Sequence, residues 1–292
     1  MTRRDWLFST LAARCAGSSP AAPHKNLPLD VVVLDLGAAG GEVPGSRKAL
    51  FEQGSVHTAT LPGSTLKPLV LAALLERRVL KADERLTCPS GFHLAGHNLE
   101  CTHIHPAPPF DAVEALAASC NYWFATMARR LGAAGVLEAL RFYGLTARFA
   151  PNLDQAGLQA LGLAHVSATP WTLALAYEIL YRSGPPALVA DGLRAAVERG
   201  TGQRALTTKA CIAGKTGTAH GERPGSTVGW FAGWAFSADR NASRRAAEQP
   251  QRPTEKESGI VLAVRVPGGT GGGEAADQAR ILAERWASGR LH

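Results

Sequence analysis

Three short motifs hold the residues of this chain best suited to chemistry: Ser64-Thr-Leu-Lys67, Ser119-Cys-Asn121 and Lys215-Thr-Gly-Thr218. A serine hydroxyl is a weak nucleophile and needs a base within about 3 Å. Ser64 and Lys67 stand three apart where a helix should begin, so both side chains lie on one face. The helix amino end adds unpaired N–H groups and partial positive charge near Ser64. That field favours an oxyanion and helps depress the Lys67 pKa, so that with burial and a second cation the lysine can act as a neutral base. Ser119 and Asn121 are two apart and cannot share a helix face. In a turn between helices both reach a cleft, where a hydroxyl relays a proton and a carboxamide bonds a lysine amine and a substrate amide. Side chains alternate along a strand, so Thr216 and Thr218 share a face and can meet a ligand carboxylate. Lys215 adds charge from beside or beneath the cleft, and Gly217 permits a close approach. The Thr218 N–H can join that of Ser64 as a second oxyanion donor, typically worth about 3–4 kcal/mol in a transition state. Each motif alone also reads as an ordinary cap or strand. Together they supply every group needed by a serine acyl-transfer enzyme without a catalytic histidine.

The elements that must position these groups follow from the chain order. Asp30-Val-Val-Val-Leu-Asp-Leu36 is a β-rich run closed by a glycine turn over 37–41, and residues 62–80 carry helical spacing after Pro62-Gly63. Residues 82–110 lack periodicity and should be irregular. Helical patterns dominate from Asp111 to about Arg199, clearest over 111–118, 121–132, 135–142 and 170–182. Strand-like runs at 210–219, 227–236 and 259–266 precede a final helix over 274–286. The first strand must join the last three, since an isolated strand cannot stand alone. The predicted architecture is α+β: an antiparallel, roughly five-stranded sheet packed by terminal helices, with an all-helical subdomain inserted at about 82–205.

The 292 residues, 46% of them hydrophobic, can bury a substantial core, and no run approaches the roughly 20 apolar residues that span a bilayer. The net charge of +7 is spread along the chain without interleaved aromatics, so no nucleic-acid surface is expected. Arg3-Arg4 ahead of a weakly apolar stretch has the order of a twin-arginine export signal, although Arg14 interrupts it. Residues 1–25 therefore read as an export signal or a mobile tail, residues 26–292 as one domain, and the polar stretch at about 238–257 as a flexible loop.

The three motifs in this order resemble those of the penicillin-binding transpeptidases and serine β-lactamases, and in particular the transpeptidase domain of class B penicillin-binding proteins. The resemblance covers residues 28–288. It also rests on Leu61-Pro-Gly preceding Ser64, on Tyr-Trp-Phe124 following Asn121, on Thr169-Pro170 opening a helix, and on Gly229-Trp-Phe-Ala-Gly233. It implies the β-lactamase/transpeptidase-like fold, with Ser64 as the acylated nucleophile and Lys67 as its general base. By the same resemblance Ser119 passes a proton to the departing amine and Asn121 holds Lys67 and the substrate amide. Lys215, Thr216, Gly217 and Thr218 would bind the terminal carboxylate of a D-Ala-D-Ala stem peptide or of a penicillin. The implied activity is D,D-transpeptidation, with D,D-carboxypeptidation as a side reaction and no catalytic cofactor. The implied location is the periplasm or outer face of the cytoplasmic membrane, and the implied partners are other cell-wall synthesis proteins.

Two departures stand out: no membrane anchor or large pedestal fits before Leu29, and Gly162-Leu-Ala-His-Val-Ser167 lacks the usual second glycine. A serine β-lactamase is the first alternative, but Glu138, Glu178 and Glu198 lack the class A loop pattern, and class D enzymes carry Val where Asn121 stands. A non-catalytic sensor of β-lactam or muropeptide is the second. Cys88, His93, His97, Cys101, His103, His105 and Cys120 crowd one region. They leave three options open: a Cys88–Cys101 disulfide, free buried thiols, or a structural zinc on Cys88, Cys101, His105 and Cys120, which some class B relatives resemble.

Overall fold

The computed structural model describes residues 27–37, 48–221, 223–238 and 259–291. The expected export segment, most of the 37–41 turn, the polar loop and any helix before residue 27 lie outside the described residues. In chain order the elements begin with β1 (Asp30–Asp35), β2 (Phe51–Gln53) and, after one 3-10 turn at Gly63–Leu66, α1 (Lys67–Glu76). A hairpin of β3 (Gly91–Leu94) and β4 (His97–Glu100) precedes α2 (Ala112–Ala117), α3 (Asn121–Ala128) and α4 (Gly132–Phe142). Then come β5 (Thr146–Ala147), α5 (Leu153–Ala160), β6 (Val166–Ser167), α6 (Pro170–Arg182) and α7 (Ala187–Glu198). The chain ends with β7 (Ala210–His220), β8 (Thr227–Ser237), β9 (Gly259–Pro267) and α8 (Ala276–Ala287).

The main sheet has five strands in the order β2-β1-β9-β8-β7, and every pairing is antiparallel. Both faces are covered, which is why its strands read as continuous apolar runs. Val32, Leu34, Trp230, Trp234, Val261 and Ala263 face the helical side, and Val31, Val33, Phe231, Ile260, Leu262 and Val264 face α8. The alternation is the period-two pleat carried through a sandwiched sheet. Helix starts follow their caps: Asp111 accepts from the Glu114 N–H and Asn152 from the Gln155 N–H. Thr169 and Thr172 form a reciprocal capping box ahead of α6, with Pro170 at its first position.

Two features differ from the sequence expectation. The stretch expected to be irregular holds the β3–β4 hairpin, closed by a two-residue turn in which Ala95 and Gly96 both have positive φ. The insert between α1 and β7 is therefore not wholly helical; that hairpin and the short β5–β6 ribbon punctuate it. Among the hairpin residues only Leu94 is buried, so no alternating apolar pattern marks it in the sequence.

Candidate active site

The turn holding Ser64 is clamped by four elements. The Gly63 N–H donates to the Gly162 carbonyl at 3.1 Å, and Trp230 Nε1 on β8 donates to the Leu61 carbonyl at 3.0 Å. The buried Tyr177 hydroxyl on α6 donates to the Thr65 carbonyl at 2.8 Å, and Thr65 Oγ1 closes the turn on the Pro62 carbonyl at 2.9 Å. Upstream, Arg265 on β9 pairs with Asp30 at 2.8 Å and donates to the Ser55 and Thr58 carbonyls, fixing the approach to the turn. Against β7 the fit is tight: a Cβ at Gly217 would stand 2.6 Å from the Pro62 carbonyl oxygen and 3.2 Å from the Thr65 nitrogen. Gly217 thus permits the close approach its lack of a side chain predicts. Ser64 is half-buried, and the 3-10 turn runs directly into α1.

Lys67, the first residue of α1, is fully buried. Its Nζ lies 2.6 Å from the Ser119 carbonyl oxygen, 3.1 Å from Ser119 Oγ and 2.7 Å from Asn121 Oδ1. Burial is the largest influence on this amine and brings its pKa down to about 7, against an opposing pull from nearby Cys120 and Cys101. At that value a large share of the lysine is neutral near pH 7, with a lone pair to accept a proton and two N–H bonds still held by fixed acceptors.

Ser119 falls in the tight link between α2 and α3, and Asn121 is the first residue of α3, so the two do not share a helix face. Ser119 adopts φ 56°, a left-handed conformation that a non-glycine residue holds only when its surroundings impose it. Those surroundings are the Lys67 amine and the cap of α3, where Cys120 Sγ accepts from the Trp123 N–H. Asn121 donates from Nδ2 to the Glu100 carbonyl at 3.1 Å, which fixes the amide orientation and leaves one N–H for a ligand.

On β7 the two threonines share a face but not an environment. Thr216 is only 5% exposed, and its hydroxyl meets Thr201 Oγ1 at 2.6 Å. Thr218 is exposed, and its Oγ1 accepts from the Gly271 N–H at 3.0 Å, leaving its own proton free to be donated. Lys215 is fully buried with Nζ 3.0 Å from the Thr216 carbonyl and 3.3 Å from Thr201 Oγ1. Burial, with a smaller effect of the Lys67 charge, pushes the Lys215 pKa well below the usual lysine range. All eight motif residues therefore lie around one location. Thr201 is the neighbour the sequence did not signal, being a lone threonine between glycines on the α7–β7 connection.

Behind the Ser119–Asn121 link lies a second cluster. One ligand atom each from Cys88, Cys101, His103 and Cys120 fall within 4.8 Å of one another. The histidine differs from the sequence expectation: His103 takes the fourth corner, and the His105 ring lies beside it, tilted by 40° with ring centroids 4.3 Å apart. The irregular backbone after β4, not residue spacing, decides which imidazole nitrogen comes close to the three sulfurs. The three cysteines are free, so the Cys88–Cys101 disulfide is not formed. Cys101 Sγ stands 3.8 Å from Cys120 Sγ; the bond from the Cys120 thiol favours the Cys101 thiolate and pushes the Cys120 pKa up. Nδ1 of His103 donates to the Ile104 carbonyl at 3.3 Å, so Nε2 carries the lone pair; that Nε2 is buried with no partner among the described residues. Soft sulfur donors, an orphaned imidazole nitrogen and a fixed tautomer suit a tetrahedral zinc ion.

The family model for the penicillin-binding protein transpeptidase domain matches residues 41–261. No curated protein matches the sequence. Among solved structures, the D,D-transpeptidase domain of a peptidoglycan glycosyltransferase from Eggerthella lenta is 15% identical with a TM-score of 0.69, the alignment covering 99% of this chain and 82% of that one. Pseudomonas aeruginosa PBP2 in complex with WCK 5153 is 17% identical at TM-score 0.66, over 98% of this chain and 74% of that one. A peptidoglycan glycosyltransferase from Burkholderia ambifaria is 16% identical at TM-score 0.69, over 89% of each. At such identities the likeness is one of fold.

Proposed function

This chain belongs to the penicillin-binding protein transpeptidase family, and on that premise we propose that it is a serine D,D-transpeptidase that cross-links peptidoglycan stem peptides and is acylated by penicillins. The observation that carries this reading is the convergence of Lys67 Nζ on Ser119 and Asn121 within 3.1 Å, in a buried site that brings the amine pKa to about 7.

In the proposed mechanism Ser64 Oγ attacks the carbonyl between the two D-alanines, and Lys67 Nζ takes its proton. The Ser64 and Thr218 N–H groups receive the oxyanion, while Lys215, Thr216 and Thr218 hold the terminal carboxylate. The tetrahedral adduct collapses by breaking the C–N bond, and Ser119 Oγ relays the Lys67 proton to the leaving D-alanine amine. An amine of a neighbouring strand then attacks the Ser64 ester, forming the cross-link and returning the hydroxyl. A penicillin follows the first half, but its leaving amine stays tethered by the second ring and the ester persists. This substrate is found outside the cytoplasm, so the proposal includes export and work beside other cell-wall synthesis proteins. No helix among the described residues is long and apolar enough to cross a membrane.

A fluorescent penicillin tests the reading directly. The expected result is a stable adduct whose mass maps to the peptide containing Ser64. Rapid turnover of the adduct would point to a β-lactamase, and absence of labelling in folded protein would reject both enzyme readings.

We also propose that Cys88, Cys101, His103 and Cys120 hold a structural zinc ion, which would supply a cross-link pinning Cys120 between Ser119 and Asn121. Elemental analysis of protein purified without chelator should find one zinc per chain. Stripping it should lower the melting temperature by roughly 5 °C or more, since metal-binding energy is folding energy. Metal-free protein in which Cys88, Cys101 and Cys120 all react with a thiol reagent, with an unchanged melting temperature, would refute the site.

A further inference from the structure

Thr201 belongs to none of the three motifs, yet its hydroxyl touches two residues of the third. Its Oγ1 lies 3.3 Å from Lys215 Nζ and 2.6 Å from Thr216 Oγ1. Lys215 Nζ also lies 3.4 Å from Thr216 Oγ1. The Lys215 amine thus donates toward both threonine oxygens. Between the two hydroxyls, one must donate to the other, since each carries a single hydrogen. One O–H is then left over, and whichever oxygen bears it is backed by an N–H of the Lys215 amine. A hydroxyl polarised in this way is a better donor to an anion than an isolated one.

The backbone around Thr201 makes this arrangement rigid. Its N–H donates to the Ala117 carbonyl at 3.1 Å, at the end of α2 and two residues before Ser119. Its carbonyl faces the glycine turn after β9, where a Cβ at Gly272 would stand 2.8 Å from that oxygen. The neighbouring Gly271 N–H donates to Thr218 Oγ1. Thr201 therefore ties the Ser119 link, the Lys215 strand and the Thr218 hydroxyl into one unit.

On the reading that Lys215, Thr216 and Thr218 bind the donor carboxylate, we propose that Thr201 is a positioning residue of that subsite. Its hydroxyl holds the Lys215 amine and completes a three-hydroxyl cradle with Thr216 and Thr218. The role deepens the proposed function by assigning recognition of the carboxylate to a residue outside the three motifs.

The test separates carboxylate recognition from general damage. Acylation rates of the full chain are measured with a fluorescent penicillin and with its methyl ester, which lacks the anionic carboxylate. Thr201→Val should slow the free acid by about 10- to 100-fold, the usual cost of a hydrogen bond to a charged group, and the ester by less than about threefold. Thr201→Ala, which cannot clash, should behave alike, and Thr201→Ser should restore the discrimination between acid and ester. Equal losses with both reagents in a folded variant, or no loss with either, would overturn the role of Thr201. Failure of the unaltered protein to be labelled at Ser64 would instead overturn the acyl-enzyme reading beneath it.

Discussion

Replacing Lys67 by methionine is expected to slow acylation of Ser64 by about 10²- to 10⁴-fold while leaving the chain folded. The magnitude is that of removing a positioned general base from an otherwise intact site. Methionine nearly matches the lysine in length and is apolar, so it suits a position that is fully buried and lies beside the Phe124 ring. The same substitution should raise stability near neutral pH. The unfolded lysine binds its proton up to about pH 10.5, whereas the folded one releases it at about 7. The unfolded state therefore holds more protons between those values, and the ammonium destabilises the fold most below pH 7. Methionine removes that penalty. In the unaltered protein the neutral amine is the active form, so acylation should fall about tenfold per pH unit below 7 and level off above it. Measuring labelling rates from pH 5 to 9 in both proteins checks this. A Lys67→Met variant labelled at the normal rate, with the acid limb retained, would eliminate Lys67 as the base.

Gly162→Ala should be nearly as damaging, through the backbone alone. Gly162 has φ +73°, and a Cβ built on it would stand 2.2 Å from the Gly63 carbonyl oxygen and 2.7 Å from the Gly63 nitrogen. Neither group is the far end of a flexible side chain, so the Ser64 turn itself must move. Misplacement of about 1 Å at a reacting group typically costs on the order of 10²-fold in rate, and that is the loss expected in labelling. The melting temperature should fall as well, by the left-handed strain plus the lost bond from Gly63 to Gly162. Gly144→Ala is the control: its φ is +76°, but nothing lies within 4 Å of the added carbon. It should pay the conformational strain and keep its labelling rate. Equal labelling rates in the two variants would show that the Gly63–Gly162 contact does not position Ser64.

The parts of the fold legible in the sequence were those with strong local patterns. The strands near 210–219, 227–236 and 259–266 came out within a residue or two, because a sheet covered on both faces demands uninterrupted apolar runs. The helix over 170–182 was marked by its Thr169-Pro170 cap. β2 escaped because three residues at a sheet edge carry no period, and the β3–β4 hairpin escaped because only Leu94 is buried. At the site, residue type and spacing placed Ser64 and Lys67 at a helix start, Ser119 and Asn121 at a helix junction and Lys215–Thr218 on a strand. Ser64 lies in the 3-10 turn leading into α1, Lys67 opens α1, and Asn121 is already the first residue of α3.

Residue order alone determined which side chains were chemically competent and which local element each rides on, since caps, periods and turn residues act over a few positions. Tertiary structure alone decided the rest. Desolvation of Lys67 depends on what α2 and α3 stack over it. The approach of His103, instead of His105, to the three cysteines depends on how an irregular backbone settles. The meeting of Thr201 with Lys215 and Thr216 depends on where α7 delivers the chain to the sheet edge. Electrostatic and hydrogen-bonding energies vary with distance through space, and distances between segments far apart in the chain are set only when the core closes.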